Sequence, residues 1–237
     1  MIEAVDLCKH YGSFAAVDHL SFSIRRGEVV AFLGPNGAGK STTMRLLTGY
    51  LSPTSGTARL GGIDVVQDRV RAVEKLGYLP ENGPLYPEMT ARELLTFFAE
   101  ARGMSSGRFA ERLQFVTEEC DLHELLDKPI GTCSKGQKQR VGMAQALLHD
   151  PEVLIMDEPT TGLDPNQIRH VRGLVKRLGE TRTILLSTHL FQEVEAMAQR
   201  VLLVNEGKLA FDGTPAEFKA RGGGVMDEAF HALTDRR

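Results

Sequence analysis

Apolar and polar residues alternate from Ile2 to Leu7 and again from Leu20 to Ile24, where Leu20, Phe22 and Ile24 share one side. A period of two with one apolar side marks half-buried strands. Three later runs lack that alternation: Val29-Val30-Ala31-Phe32-Leu33, Val153-Leu154-Ile155-Met156 and Thr183-Ile184-Leu185-Leu186. Continuous apolar runs of this length suit strands covered on both faces, as in a parallel sheet. Thr57 to Val65, broken by Gly61-Gly62, and Arg200 to Phe211, turning at Asn205-Glu206-Gly207, predict two hairpins.

Helical spacing fills the intervals. Thr42 to Leu51 sets Met44, Leu47 and Thr48 at helical intervals and ends before Pro53 and Gly56, and Pro165 to Leu178 predicts a further helix. Gly77-Tyr78-Leu79-Pro80-Glu81-Asn82-Gly83-Pro84 is a strand end entering a loop, after which the pattern turns helical. Thr90 with Glu93 forms a capping box ahead of Leu94, Leu95 and Phe98; Phe109 to Cys120 turns Leu113 and Val116 inward; Ser134 caps a helix through Val141, Ala144 and Leu147. Strands alternating with helices predict an α/β fold with a mostly parallel sheet. The expected organisation is one domain over 1–237. Residues 1–82 and 151–237 form an α/β core with an N-terminal antiparallel β subdomain, 83–150 an inserted α-helical subdomain, and 222–237 a tail, amphipathic around Val225, Met226, Phe230 and Leu233.

Charge and composition exclude more than they identify. The net charge of −3 over 237 residues comes from interspersed acids and bases, with no basic block for a nucleic-acid partner. Cys8, Cys120 and Cys133 are scattered and lack metal-ligand spacing, which predicts reduced, buried thiols in a cytosolic protein. No apolar run is long enough to span a membrane, and Met1-Ile2-Glu3 does not open a signal peptide. Work at a membrane would require a partner to hold the chain there.

The chemistry gathers where the continuous runs end. Gly34-Pro35-Asn36-Gly37-Ala38-Gly39-Lys40-Ser41-Thr42 fits G-x-x-x-x-G-K-[ST], with a strand before and a helix after it. Its glycines let backbone N–H groups curl around phosphate oxygens, Lys40 reaches the terminal phosphates, and the Ser41 hydroxyl sits on Mg²⁺. In parallel sheets ligands bind at the carboxyl ends of strands, so Asp157-Glu158 and Ser187-Thr188-His189 are placed to converge on this loop. Asp157 suits a Mg²⁺ ligand or an acceptor for its water, and Glu158 suits a group that orients or deprotonates an attacking water. His189 could bond the γ-phosphate or hold Glu158 in place. Ser134-Lys135-Gly136-Gln137 opens a helix and offers free N–H groups to an anion. Tyr11, in Lys9-His10-Tyr11-Gly12, is either a ring for a purine base or part of an ordinary surface turn.

Taken in order, Tyr11, the P-loop, Glu81, Ser134-Lys135-Gly136-Gln137, Asp157-Glu158, Gly162-Leu163-Asp164 and His189 resemble the nucleotide-binding subunit of ATP-binding-cassette (ABC) transporters. The resemblance implies a P-loop, RecA-like ATPase that uses ATP and Mg²⁺ and works as a head-to-tail dimer of two copies or two related cassettes. It makes Tyr11 the adenine-stacking ring and Ser134, Gly136 and Gln137 the contacts to the partner subunit's ATP. Glu158 becomes the catalytic base, Asp164 the acid that touches the partner, and His189 the switch histidine. Glu81 stands where the family carries glutamine, so a carboxylate would accept from Mg²⁺-bound water but not donate as an amide does. Cys133 and Lys135 replace the leucine and first glycine of Leu-Ser-Gly-Gly-Gln. Gly77 to Asn82 and the tail Met226 to Leu233 resemble the ABC-2 exporter branch, of gliding-motility, daunorubicin-resistance and copper-site-maturation types. The implied setting is cytoplasmic, on the membrane's inner face, beneath a separate permease. Competing expectations are a soluble ABC ATPase of DNA repair or translation, and a non-hydrolysing module that ATP merely dimerises.

Overall fold

The computed structural model describes residues 1–81, 83 and 85–235, so Asn82 and Pro84 of the loop after Pro80 lie outside the described residues. Two sheets carry the chain. In the first, β1 (Ile2–Tyr11), β2 (Phe14–Ile24), β4 (Ser55–Leu60) and β5 (Ile63–Asp64) lie in the order β2-β1-β4-β5, all antiparallel. The second sheet is built from β3 (Val29–Leu33), β6 (Leu76–Leu79), β7 (Val153–Asp157), β8 (Thr183–Ser187), β9 (Arg200–Asn205) and β10 (Lys208–Gly213). Its order is β10-β9-β3-β8-β7-β6, parallel except for the β9–β10 hairpin.

The continuous apolar runs have a simple cause: both faces of this sheet are buried, and alternate residues feed different cores. Val30, Phe32, Val153, Ile155 and Leu185 face the antiparallel sheet and α1 (Lys40–Leu47), whose Met44, Leu46 and Leu47 join them. Leu154, Met156, Ile184 and Leu186 face the other way. There they meet α3 (Ala91–Ala101), α4 (Ser106–Glu119), α5 (Lys135–Leu147) and α6 (Pro165–Gly179). Ala31 and Leu33 instead join Val201, Leu203 and Phe218 in a third cluster, which α9 (Met226–Thr234) covers with Met226 and Ala229.

Several elements depart from their expected bounds. Lys9, His10 and Tyr11 belong to β1 rather than to a loop, because the hairpin continues until Gly12 and Ser13 turn it. The helix after the P-loop opens at Lys40 and ends at Leu47, and the Thr57–Val65 hairpin extends the antiparallel sheet. Three short helices went unpredicted: α2 (Arg69–Glu74), α7 (Phe191–Met197) and α8 (Pro215–Ala220). The last carried a readable signal, since Thr214 and Glu217 close a capping box around Pro215 at the first turn.

Candidate functional site

The P-loop is shaped by close backbone contacts. Gly39 has φ +100, and a Cβ there would lie 2.3 Å from the Ala16 carbonyl oxygen of β2. Any side chain would push the loop off the antiparallel sheet. Lys40 folds back over the loop, its Nζ donating to the Gly34 carbonyl at 2.6 Å and to that of Pro35 at 3.0 Å. Burial lowers the Lys40 pKa, opposed first by Glu158 and then by Asp157, so both strand-end carboxylates act on this ammonium. Asn36 and Gly37 are exposed at the loop tip, Ala38 is buried, and Ser41 and Thr42 open the helix beside Lys40.

β7 and β8 deliver the acids. Asp157 is nearly buried, and one of its carboxylate oxygens accepts from the Ser187 hydroxyl at the end of β8. Glu158 follows in a left-handed conformation, φ +51, that bulky residues rarely adopt. Its backbone N–H donates to Ser187 Oγ at 3.0 Å. That turn places its carboxylate where Oε2 accepts from Thr161 Oγ1 at 3.1 Å and from His189 Nδ1 at 2.8 Å. With Nδ1 engaged as donor, His189 keeps Nε2 as an acceptor in its neutral form. Glu193, fully buried on α7, accepts from Thr188 Oγ1 at 2.7 Å and from the Thr160 hydroxyl, which ties the two strand-end loops together. Sequence reasoning missed Thr161 and Glu193, the latter because α7 itself was missed.

Ser41, Asp157 and Glu81 line one cleft of about 620 Å³, together with Tyr50, Tyr78, Phe98 and the bases Arg45, Arg69 and Arg102. Burial, and then the Asp157 charge, push the Tyr78 phenol up to about 12. The three expected Mg²⁺ residues offer oxygen only, which is what Mg²⁺ selects. Few protein ligands suffice, because Mg²⁺ keeps water and substrate phosphates in its coordination shell. The donor set therefore fits the ion.

The helix-opening motif lies elsewhere: none of Ser134, Gly136 and Gln137 lines this cleft. Ser134 Oγ accepts from the Gln137 N–H at 3.3 Å, and Gln137 Oε1 accepts from the Ser134 N–H at 3.0 Å and from Lys128 Nζ at 3.3 Å. The Gln137 side-chain oxygen is thus engaged within its own chain. Gly136 is buried, and a Cβ on it would lie 2.3 Å from Gln167 Oε1. The Lys135 side chain crosses Gly162, where a Cβ would come within 2.7 Å of Nζ. Asp164 caps α6, its Oδ1 accepting from the N–H groups of Asn166 at 2.9 Å and Gln167 at 3.0 Å. Tyr11 is half exposed at the end of β1, paired with the exposed Phe14, and Lys9 Nζ stands 5.5 Å from its ring.

A phosphate-binding loop on a parallel sheet, with an acid pair and a histidine at neighbouring strand ends, defines a P-loop nucleoside triphosphatase. The pattern described as ABC transporter matches residues 17–161. The linearmycin resistance ATP-binding protein LnrL of Bacillus subtilis (strain 168) is 38% identical over 94% of this chain and 72% of its own. A solved ATP-binding subunit of an ABC transporter superposes with a TM-score of 0.91, at 31% identity over 99% of this chain and 100% of the other. A dimeric post-hydrolysis cassette, MJ0796 bound to ADP and Pi, gives 0.81 at 25% identity, over 91% and 99%. The chain belongs to the ABC transporter family. It is an ATP-binding, ATP-hydrolysing transporter subunit, and among its described residues no helix is long and apolar enough to cross a membrane.

Proposed function

We propose that this cassette powers an exporter by closing head to tail on a second cassette around ATP and Mg²⁺, beneath a membrane permease on its cytoplasmic side. The observation that carries the reading is the Glu158 carboxylate, held 2.8 Å from His189 by a left-handed backbone beside the P-loop. Glu158 serves as the base toward water, with His189 positioning it. Lys40 and the loop N–H groups hold the phosphates. Ser41, Asp157 and Glu81 serve Mg²⁺, which would neutralise charge between the terminal phosphates. Tyr11 takes the adenine.

A second cassette completes the site. Ser134, exposed where α5 opens, presents the start of that helix to the partner's ATP, with Gly136 and Gln137 behind it. The dimeric MJ0796 cassette supports pairing with a second cassette, and LnrL, named for linearmycin resistance, supports export. For the permease, the Glu81 cleft offers an aromatic and cationic surface, with Tyr50 72% exposed at its edge.

Glu158→Gln tests the reading. The variant is expected to bind ATP, persist as a dimer on gel filtration and lose most phosphate release. A monomeric variant with full turnover would remove Glu158 from the base role.

A further inference from the structure

The β1–β2 hairpin shifts register at three places, after Ala4, Leu7 and Lys9, and the first two lie next to each other. Leu7 pairs with Leu20 and Lys9 with Val17, so Asp18 and His19 together oppose the single residue Cys8. Ala4 pairs with Phe22, so Val5 and Asp6 oppose Ser21 alone. Each is a β-bulge, marked by a left-handed non-glycine residue, φ +51 at His19 and φ +50 at Asp6. In a regular strand Asp18 and His19 would point to opposite faces. The bulge instead brings both side chains to Cys8, and the Cys8 sulfur, an Asp18 carboxylate oxygen and a His19 ring nitrogen all lie within 4.8 Å of one another.

We infer that Cys8, Asp18 and His19 form a zinc site. A tetrahedral zinc ion with sulfur, nitrogen and oxygen ligands spaces its donors by about 3.3–3.6 Å, and His19 Nε2 already stands 3.8 Å from Asp18 Oδ1. His19 is oriented for the role: its other nitrogen, Nδ1, lies 2.6 Å from Asp6 Oδ1. A carboxylate on the far nitrogen is how proteins fix a ligating histidine. Lys208 Nζ holds the opposite oxygen, Asp18 Oδ2, at 3.1 Å and leaves Oδ1 directed to the ion. Cysteine sulfur with imidazole selects zinc over magnesium or calcium, and exposed His19 leaves solvent to fill the fourth position.

The site also touches the nucleotide loop through main chain. The Asp18 N–H donates to the Gly207 carbonyl at 3.0 Å, and the Gly207 N–H donates to the Ala38 carbonyl of the P-loop at 3.0 Å. Zinc would therefore stiffen a bulge that leans on the loop that grips phosphate.

The test uses the untagged full chain without nucleotide, titrated with Zn²⁺ by calorimetry and with Co²⁺ by absorption. The expected result is about one ion per chain and a cobalt–thiolate charge-transfer band. Cys8→Ser should lose the band, and His19→Ala, at an exposed position, should lose binding while keeping its fold by circular dichroism. Asp6→Asn should weaken binding roughly 10- to 100-fold with the band retained, and Cys120→Ala should change neither. Stoichiometric Zn²⁺ binding that survives both Cys8→Ser and His19→Ala, or no thiolate band in the unaltered chain, would overturn the assignment.

Discussion

The two surfaces expected to meet ATP are built on opposite principles. The P-loop side is under constraint: Gly39 has no room for a side chain, Lys40 is pulled from water, and Glu158 holds a costly backbone conformation. The Ser134–Asp164 side is at rest, a pair of helix starts whose capping residues satisfy each other. Strain and desolvation concentrate where charge must be managed, and relaxed helix ends suffice where an anion need only be received. Substitutions on the first surface should therefore stop chemistry, while those on the second should mainly weaken association.

The largest effect is expected at Gly39. Gly39→Arg must meet the Ala16 carbonyl and adopt a positive φ, so nucleotide binding should vanish in an equilibrium fluorescence titration with an ATP analogue. Lys40→Ala should lose ATP binding too, but without distorting the hairpin. Equal, near-normal ATP affinity in both variants would undo the contrast between the surfaces.

Next comes the acid and its holder. Glu158→Gln should cut single-turnover hydrolysis by about 10²- to 10⁴-fold, the range of a lost general base. His189→Ala should cost less, on the order of 10- to 100-fold, because it removes one hydrogen bond to a charged group. If His189→Ala proved as severe as Glu158→Gln, the histidine would be acting on the phosphate itself.

How much of this was legible follows from what each residue answers to. The mostly parallel sheet could be anticipated because runs such as Val153 to Met156 must be covered on both faces, and the P-loop because its spacing is chemical. The bulge at Asp18-His19 could not: it arises from a register shift between strands, and Cys8 has no metal-ligand spacing to His19 in the chain. Glu193 was equally hidden, since a buried acid on a seven-residue helix reads as an ordinary solvent-facing one until its two threonines are placed. The caps at Asp164 and Gln137 also stand in the sequence, with Gln137 three residues after Ser134 and Asp164 directly before Pro165 and three residues ahead of Gln167.

The smallest effects lie on the relaxed surface. Gly136→Ala would put a methyl group against Gln167 and displace a capping-box member, at a cost of about 0.5–2 kcal/mol. For a chain of this size that is a fall in melting temperature of roughly 1–8 °C. Gln167→Ala should relieve the clash, and a double-mutant cycle would read the coupling.

Asp164 permits the finest separation. Asparagine caps a helix about as well as aspartate, whereas alanine does not, so Asp164→Ala should lose about 1 kcal/mol of stability and Asp164→Asn almost none. Any loss of ATP-driven dimerisation shared by both variants then belongs to the carboxylate's charge and not to the cap. Sedimentation of each variant in the Glu158→Gln background, where the closed dimer persists, reads that charge directly. Unchanged dimerisation in Asp164→Asn would confine Asp164 to the start of its own helix and leave the contact with the partner to Ser134 and Gly136.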